Sequence, residues 1–223
     1  MPVRAVVFDF DGVLANSEPL HFRAYQQVLA EIGIAIDREE YYAQYLGFDD
    51  LGAFRAVADA RRQSWSDAQV QALVAQKTTV FDEMLASADV LYPEAARCVE
   101  RLAAAMPLGI ASGALRHEIE AILARNGLAG HFRFIVASGD TPRSKPHPDP
   151  YRRAAELHGI QPGECIAIED SRWGIESAKA AGLRCVGITQ TYGAGELSQA
   201  DAVIASLDDF TVDLIEALDG QRP

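Results

Sequence analysis

Val3-Arg4-Ala5-Val6-Val7-Phe8-Asp9-Phe10-Asp11-Gly12 begins as a short apolar, β-branched run and stops on acidic residues and a glycine. Such a run reads as a buried strand ending in a turn. Two readings of its end stay open on this stretch alone. Asp-Gly is a common turn dipeptide. Alternatively, residues two apart in an extended segment point the same way, so Asp9 and Asp11 can address one small volume. Two carboxylates that close repel, so one is protonated or a cation sits between them. A divalent hard cation resolves the repulsion and attracts phosphate oxygens. Of the two, Asp9 is the better candidate nucleophile, because it stands right at the strand end. Asp11 is the candidate acid that protonates a leaving oxygen and then takes a proton from water.

Downstream, from Asn16 to about Asp89, the pattern turns helical. Phe22, Tyr25, Val28, Leu29 and Ile32 recur at three- and four-residue steps before Gly33, which reads as a stop. Further helical stretches run over Arg38 to Tyr45, Leu51 to Arg61 and Asp67 to Leu85, with Ser66 suited to cap the last. No strand candidate interrupts them. Residues 16–89 are therefore expected to form an all-helical inserted domain, with 1–15 and 90–223 as the second, larger one.

After Leu91 strands and helices alternate. Leu108 to Ala111, Phe134 to Ala137, Cys165 to Ile168, Arg184 to Thr189 and Ala202 to Ile204 read as strands, with helical patterns between the first four. Gly127, Gly159 and Gly182 are placed to end helices in the left-handed conformation. Alternation of this kind predicts α/β architecture, a doubly wound parallel sheet covered on both faces, with ligands bound beyond the carboxyl ends of its strands.

Three further strand ends carry polar chemistry. Ser112 and Gly113 offer a hydroxyl and backbone N–H groups just before a helix, which suits a phosphate oxygen and equally suits a helix cap. Lys145 lies in a loop stiffened by Pro146, Pro148 and Pro150 and supplies a point charge for a phosphate or for the Asp9 carboxylate; a solvated loop lysine is the plain alternative. Glu169 and Asp170 follow the strongly apolar Ile166-Ala167-Ile168 and are costly there unless paired or bound to metal. An acidic helix N-terminus would also account for Asp170 and Ser171.

Composition bounds these readings. A net charge of −12 disfavours a nucleic-acid backbone as partner, since that needs a basic footprint. Cys98, Cys165 and Cys185 are widely spaced in apolar surroundings and read as small buried hydrophobes. No apolar stretch approaches the roughly 20 residues of a spanning helix, and no signal-peptide pattern opens the sequence. A cytoplasmic location and no membrane partner are the expectations, and the size suggests a monomer.

Together, Asp9-Phe10-Asp11-Gly12-Val13-Leu14, Ser112-Gly113, Lys145-Pro146-His147-Pro148 and Glu169-Asp170-Ser171 with Gly174-Ile175 closely resemble the motifs of the haloacid dehalogenase superfamily of aspartate-nucleophile phosphohydrolases. The helical insertion after the first motif is similar to that of the subgroup containing phosphoglycolate phosphatases and β-phosphoglucomutase. The resemblance covers essentially the whole chain. It implies a Rossmann-like core with a helical cap, Mg²⁺ as cofactor and a small phosphate monoester as substrate. It makes Asp9 the phosphorylated nucleophile and Asp11 the general acid/base. Asp9, Asp170 and the backbone carbonyl of Asp11 would ligate Mg²⁺, with Glu169 close to the metal or its waters. Ser112, with Gly113, and Lys145 would bind the transferring phosphoryl group. A cis peptide before Pro146 is part of the same resemblance.

Two departures bear on substrate. The family usually has Asp-Ser or Asp-Thr where Asn16-Ser17 stands. His21 matches a histidine of the mutase that helps place the general acid. Yet the cap loop Gly47-Phe48-Asp49-Asp50 is acidic where the mutase carries an arginine for a second phosphate. Hydrolysis is therefore expected over mutase chemistry. His21, Gly47, Phe48 and Asp50 are the cap candidates for substrate contact, joined by Arg116 at the start of a core helix. A phospho-aspartate receiver domain is a third reading, disfavoured by the long insertion and the Asp9–Asp11 pair.

Overall fold

The computed structural model describes residues 2–46 and 48–220. The chain divides into two compact units, Met1–Asn16 with Leu91–Pro223, and Ser17–Val90. The larger unit is built on six parallel strands, β1 (Ala5–Phe8), β2 (Leu108–Ala111), β3 (Phe132–Val136), β4 (Cys165–Glu169), β5 (Arg184–Ile188) and β6 (Ala202–Ile204), in the order β3-β2-β1-β4-β5-β6. Strand order reverses at β1, and a doubly wound sheet opens its ligand crevice at such a point. The α/β expectation from the alternating pattern is met by this sheet. No helix among the described residues is long and apolar enough to cross a membrane.

Burial explains why the strands read as continuous apolar runs. β1, β2, β4 and β5 are buried along their whole length, because helices cover both faces, while the edge strands β3 and β6 stay partly open. The covering helices of this unit are α5 (Ala95–Ala103), α6 (Arg116–Arg125), α7 (Asp149–His158), α8 (Arg172–Ala181) and α9 (Val212–Asp219). Tyr151, Ala154 and Ala155 of α7 and Ile175, Ala178 and Ala181 of α8 share one core cluster with Ala5, Val7, Cys165 and Ala167 of the sheet. Those sheet residues alternate along β1 and β4, so α7 and α8 cover the face that odd-numbered residues of β1 look into.

Several local features follow from residue type. Gly159 and Gly182 end α7 and α8 with φ of 70° and 95°, and Gly127 follows α6 at 70°. The C-terminal helix α9, which has no counterpart in the sequence expectation, is tied down by Arg184 on Asp219 at 2.7 Å, and Asp219 also accepts the Val3 amide. The smaller unit holds α1 (Glu18–Glu31), α2 (Arg38–Gln44), α3 (Asp50–Ala60) and α4 (Asp67–Leu85). The expected Ser66 cap closes α4 as a reciprocal capping box with Gln69. Val28 and Leu29 of α1, Phe54 and Val57 of α3 and Val70 and Phe81 of α4 are buried within it.

One buried polar side chain on the larger unit predicts a pH dependence. His158, at the end of α7, lies edge-on to Phe134 and over the backbone of Gly109, and neither ring nitrogen makes a hydrogen bond of normal geometry. Burial first lowers its pKa to about 4, against an opposite pull from the Val6 backbone and with a smaller downward push from the charge of Arg133. The unfolded chain takes up this proton near pH 6.5 and the folded one only near 4. Stability attached to His158 is thus complete above pH 6.5 and is lost as pH falls from 6.5 to 4, by about 3 kcal/mol. Urea unfolding at pH 7 and pH 4 is expected to show wild type losing about that much more than His158→Leu; equal losses would remove His158 from the account.

Candidate active site

Strand register assembles the site. Phe8 pairs with Ile168 and with Ile110, which sets Asp9 beside Glu169 on one side and one residue short of Ser112 on the other. The Asp9 amide donates to the carbonyl of Ile168 at 3.0 Å and the Ser112 amide to that of Val136 at 2.9 Å. The ladder thus continues past the strands and holds both residues. Asp9 and Glu169 share the α7 face of the sheet through the period-two alternation of β1 and β4.

Carboxylate oxygens of Asp9, Glu169 and Asp170 all lie within 4.8 Å of one another, and all three residues are buried. Burial first, then Asp9 and Glu169, hold Asp170 well above the usual carboxylate range; a hydrogen bond from Thr191 works the other way. Glu169 is likewise pushed up by burial and by Asp9, with Lys145 and Tyr151 pulling it back. Lys145 answers part of this charge: its Nζ is 2.8 Å from Asp9 Oδ1 and 2.5 Å from Glu169 Oε1. Burial alone would lower the lysine, but the two carboxylates outweigh it and hold it protonated above its ordinary range. With all three ionised, one ammonium against three carboxylates would leave an excess of buried negative charge, which is why Asp170 and Glu169 are pushed toward protonation. A hard divalent cation fits that excess and an all-oxygen donor set.

The surrounding backbone is shaped to this cluster. Gly12 turns at φ 75°, and a Cβ there would stand 1.9 Å from Asp170 Oδ2. A Cβ at Gly174, in the first turn of α8, would stand 1.9 Å from the Glu169 carboxyl. Ser171 caps α8 by accepting the Gly174 amide. The Gln190 amide, nitrogen turned inward, donates to the carbonyls of Gly12 at 2.6 Å and Val13 at 3.1 Å, tying the loop after β5 to the loop after β1. Asp11 lies half-buried in that second loop, bridged to Ala15. The peptide before Pro146 is cis. Ser112 is buried, its hydroxyl accepting the Ala114 amide at 3.1 Å, and Gly113 is exposed with open space above it.

The remaining candidates fare differently. Arg116 donates to Asp140 at 2.6 Å and to the carbonyl of Ile135 at 2.8 Å, and lines a groove of about 400 Å³ beside β3 with Phe134 and Leu157. Arg116, expected as a substrate contact, thus has its guanidinium engaged by Asp140 and the Ile135 carbonyl beside β3. Within the helical unit, Asp50 binds the buried Lys77 through both oxygens at 2.9 and 3.0 Å and accepts the Tyr25 hydroxyl at 2.7 Å. Asp49 accepts the Gly52 amide as the cap of α3. Asp50, one of the loop's two acids, is therefore neutralised inside its own unit, which weakens the electrostatic reason for excluding a second phosphate. His21 Nδ1 lies 2.8 Å from Lys77 Nζ, and the ring stacks on Phe81. Since an ammonium only donates, Nδ1 is the acceptor and His21 is neutral with its proton on Nε2; burial first and Lys77 second lower its pKa well below the ordinary value. Phe48 is exposed, and Gly47 lies outside the described residues.

Among the partners that escaped the sequence reading are Lys77, Tyr151 and Gln190. Lys77 and Tyr151 did leave a signal, each being a polar group on the apolar stripe of its helix, with Val70, Leu73 and Phe81 for one and Ala154, Ala155 and His158 for the other. Gln190 left none.

The chain is similar to known proteins over most of its length. Residues 3–182 match a family model described as haloacid dehalogenase-like hydrolase. The chain is 34% identical over 218 residues to the protein CbbY of Rhodobacter capsulatus, covering 93% of this chain and 95% of that one. It is 30% identical over 229 residues to a phosphoglycolate phosphatase of Shigella boydii, covering 93% and 91%. Among solved structures, a mutant of CbbY from Rhodobacter sphaeroides in complex with xylulose-(1,5)bisphosphate superposes with a TM-score of 0.80 at 28% identity, covering 92% of this chain and 95% of that one.

The buried charge balance predicts what removing its cation does. Lys145→Met leaves two buried carboxylates without a counter-ion and is expected to cost about 3–5 kcal/mol in urea unfolding at pH 7. A loss under about 1 kcal/mol would show that the pair contributes as little as a surface one.

Proposed function

The chain belongs to the haloacid dehalogenase-like hydrolases, and on that premise we propose that it is a Mg²⁺-dependent phosphatase of small phosphate monoesters acting through an aspartyl phosphate on Asp9. The observation that carries the proposal is Lys145 between Asp9 and Glu169, with Asp170 in the same group of carboxylates. Asp9, Asp170 and the Asp11 carbonyl would hold Mg²⁺, which when bound offsets the excess negative charge and polarises the phosphoryl oxygens.

In the proposed reaction an Asp9 carboxylate oxygen attacks phosphorus, and the bond from phosphorus to the ester oxygen breaks. The Asp11 carboxyl gives its proton to the departing oxygen, so the alcohol leaves neutral. Asp11, now a carboxylate, takes a proton from the water that attacks the acyl phosphate. The bond to Asp9 breaks, and inorganic phosphate and the starting aspartate are restored. Lys145 and Ser112, with the Gly113 amide, take up the equatorial phosphoryl oxygens. Register supports these roles, since it sets Asp9, Ser112 and Glu169 at three neighbouring strand ends.

The helical unit Ser17–Val90 is proposed to select the substrate. The phosphoglycolate phosphatase and the CbbY complexed with a sugar bisphosphate point to a small hydroxylated or carboxylated phosphate ester. With Asp50 neutralised by Lys77, a second phosphate on the substrate is compatible with the unit's own charge. Bisphosphates therefore join monophosphates as the substrates to test.

Release of phosphate from p-nitrophenyl phosphate is expected with Mg²⁺ and not with excess EDTA. Asp9→Asn is expected to lower kcat by at least about 10³-fold. Retained turnover in that variant would remove Asp9 as nucleophile, and a hexose bisphosphate formed from a hexose 1-phosphate would favour the mutase. By mass action, Mg²⁺ at about 100 times its Kd is expected to stabilise the fold by about 2.7 kcal/mol, read as a rise in Tm that Asp170→Asn abolishes. An equal rise in Asp170→Asn would place the ion elsewhere.

A further inference from the structure

Tyr151 takes no part in the steps above, yet it is fully buried and makes two contacts to the phosphate-handling groups. Its hydroxyl donates to Glu169 Oε1 at 2.7 Å, the same oxygen that Lys145 binds at 2.5 Å. Its ring lies under the Lys145 ammonium, with Nζ 5.1 Å from the centroid. Ser171 Oγ approaches the other Glu169 oxygen at 3.3 Å. Both oxygens of Glu169 are therefore engaged by protein groups.

We propose that Tyr151 is a positioning residue for phosphate capture, acting through Glu169 on Lys145. The proposal rests on the function above, in which Lys145 takes up a phosphoryl oxygen. An ammonium has three N–H donors. One points to Asp9 and one to Glu169, so the third is directed by how those two acceptors are held. Asp9 is held by the sheet, through its amide on Ile168. Glu169 is a longer side chain whose carboxylate needs a second anchor. The Tyr151 hydroxyl is that anchor: it shares Oε1 with the lysine and keeps the ion pair from closing further onto Glu169. The ring face beneath Nζ fixes the ammonium from the opposite side. α7 delivers the group because Tyr151 begins its apolar stripe, in the cluster shared with Val7 and Ala167, the face that Asp9 and Glu169 also occupy. Full burial keeps Tyr151 from touching substrate, so its effect is transmitted and not direct.

The test is Tyr151→Phe, which keeps the ring and removes one oxygen, with inorganic phosphate as the probe through product inhibition of p-nitrophenyl phosphate hydrolysis. The Ki for phosphate and the KM are each expected to rise about tenfold, the effect of one hydrogen bond to a charged group, while kcat changes by less than about threefold, as for lost ground-state binding. Added to Glu169→Gln, Tyr151→Phe is expected to raise Ki no further, since both act on one contact. Ala154→Gly, a core substitution in the same helix, is expected to lower Tm and leave Ki unchanged. An unchanged Ki in Tyr151→Phe overturns the proposal. So does a full tenfold effect in the Glu169→Gln background, or a matching rise in Ala154→Gly. Tyr151→Met, which removes the ring as well as the hydroxyl, serves if the phenylalanine variant does not fold, with a rise in Ki at least as large expected and an unchanged Ki overturning the proposal. A wild type that neither releases phosphate nor is inhibited by it overturns the function, and the proposal with it; normal wild-type inhibition with no Tyr151 effect overturns the proposal alone.

Discussion

Three carboxylates at the ends of two neighbouring strands, facing one lysine, set the terms for the rest of the larger unit. Asp9, Glu169 and Asp170 are brought together by the β1–β4 register, and burial makes their mutual repulsion expensive. The neighbouring residues can be read as responses to that cost. Lys145 places its charge between two of them, Tyr151 and Ser171 hydrogen-bond Glu169, and the Thr191 hydroxyl bonds Asp170. Gly12 and Gly174 have no side chain because carboxyl groups occupy the space a Cβ would need. What these responses leave unmatched is negative charge, and the proposed cation fits that remainder.

Much of this was legible beforehand, for reasons particular to each element. β1, β2, β4 and β5 announced themselves because both faces are covered, so their sequences are apolar without alternation. Asp9, Lys145, Glu169 and Asp170 stood out as charges abutting such runs. Gly159 and Gly182 marked helix ends because left-handed backbone there favours glycine. Other features depended on tertiary context that a linear reading lacks. α9 is fixed by Arg184 on Asp219, 35 residues apart in the chain (219 − 184). Arg116 starts α6 as expected, but Asp140 and the Ile135 carbonyl draw its guanidinium to the β3 edge. Asp50 looked like a free acid until Lys77, a helix and a half away in sequence, proved to be its partner.

Lys77 shows how an ionic group reshapes a functional inference. A lysine on the buried stripe of α4 is unfavourable unless its charge is met, and Asp50, His21 and the faces of Tyr25 and Phe81 meet it. The same contacts hold His21 neutral with a defined tautomer. They also neutralise Asp50, one of the two loop acids from which the disfavouring of a second phosphate had been argued. The choice of hydrolysis over mutase chemistry then rests on the family and on the phosphatases this chain resembles.

In the proposed function Asp9 becomes phosphorylated during turnover. Borohydride added during steady-state hydrolysis reduces an acyl phosphate to an alcohol, so mass spectrometry of the tryptic peptides reads the site directly. Homoserine is expected at position 9, dependent on both substrate and Mg²⁺. Turnover without reduction at position 9, or reduction at another carboxylate, would contradict it.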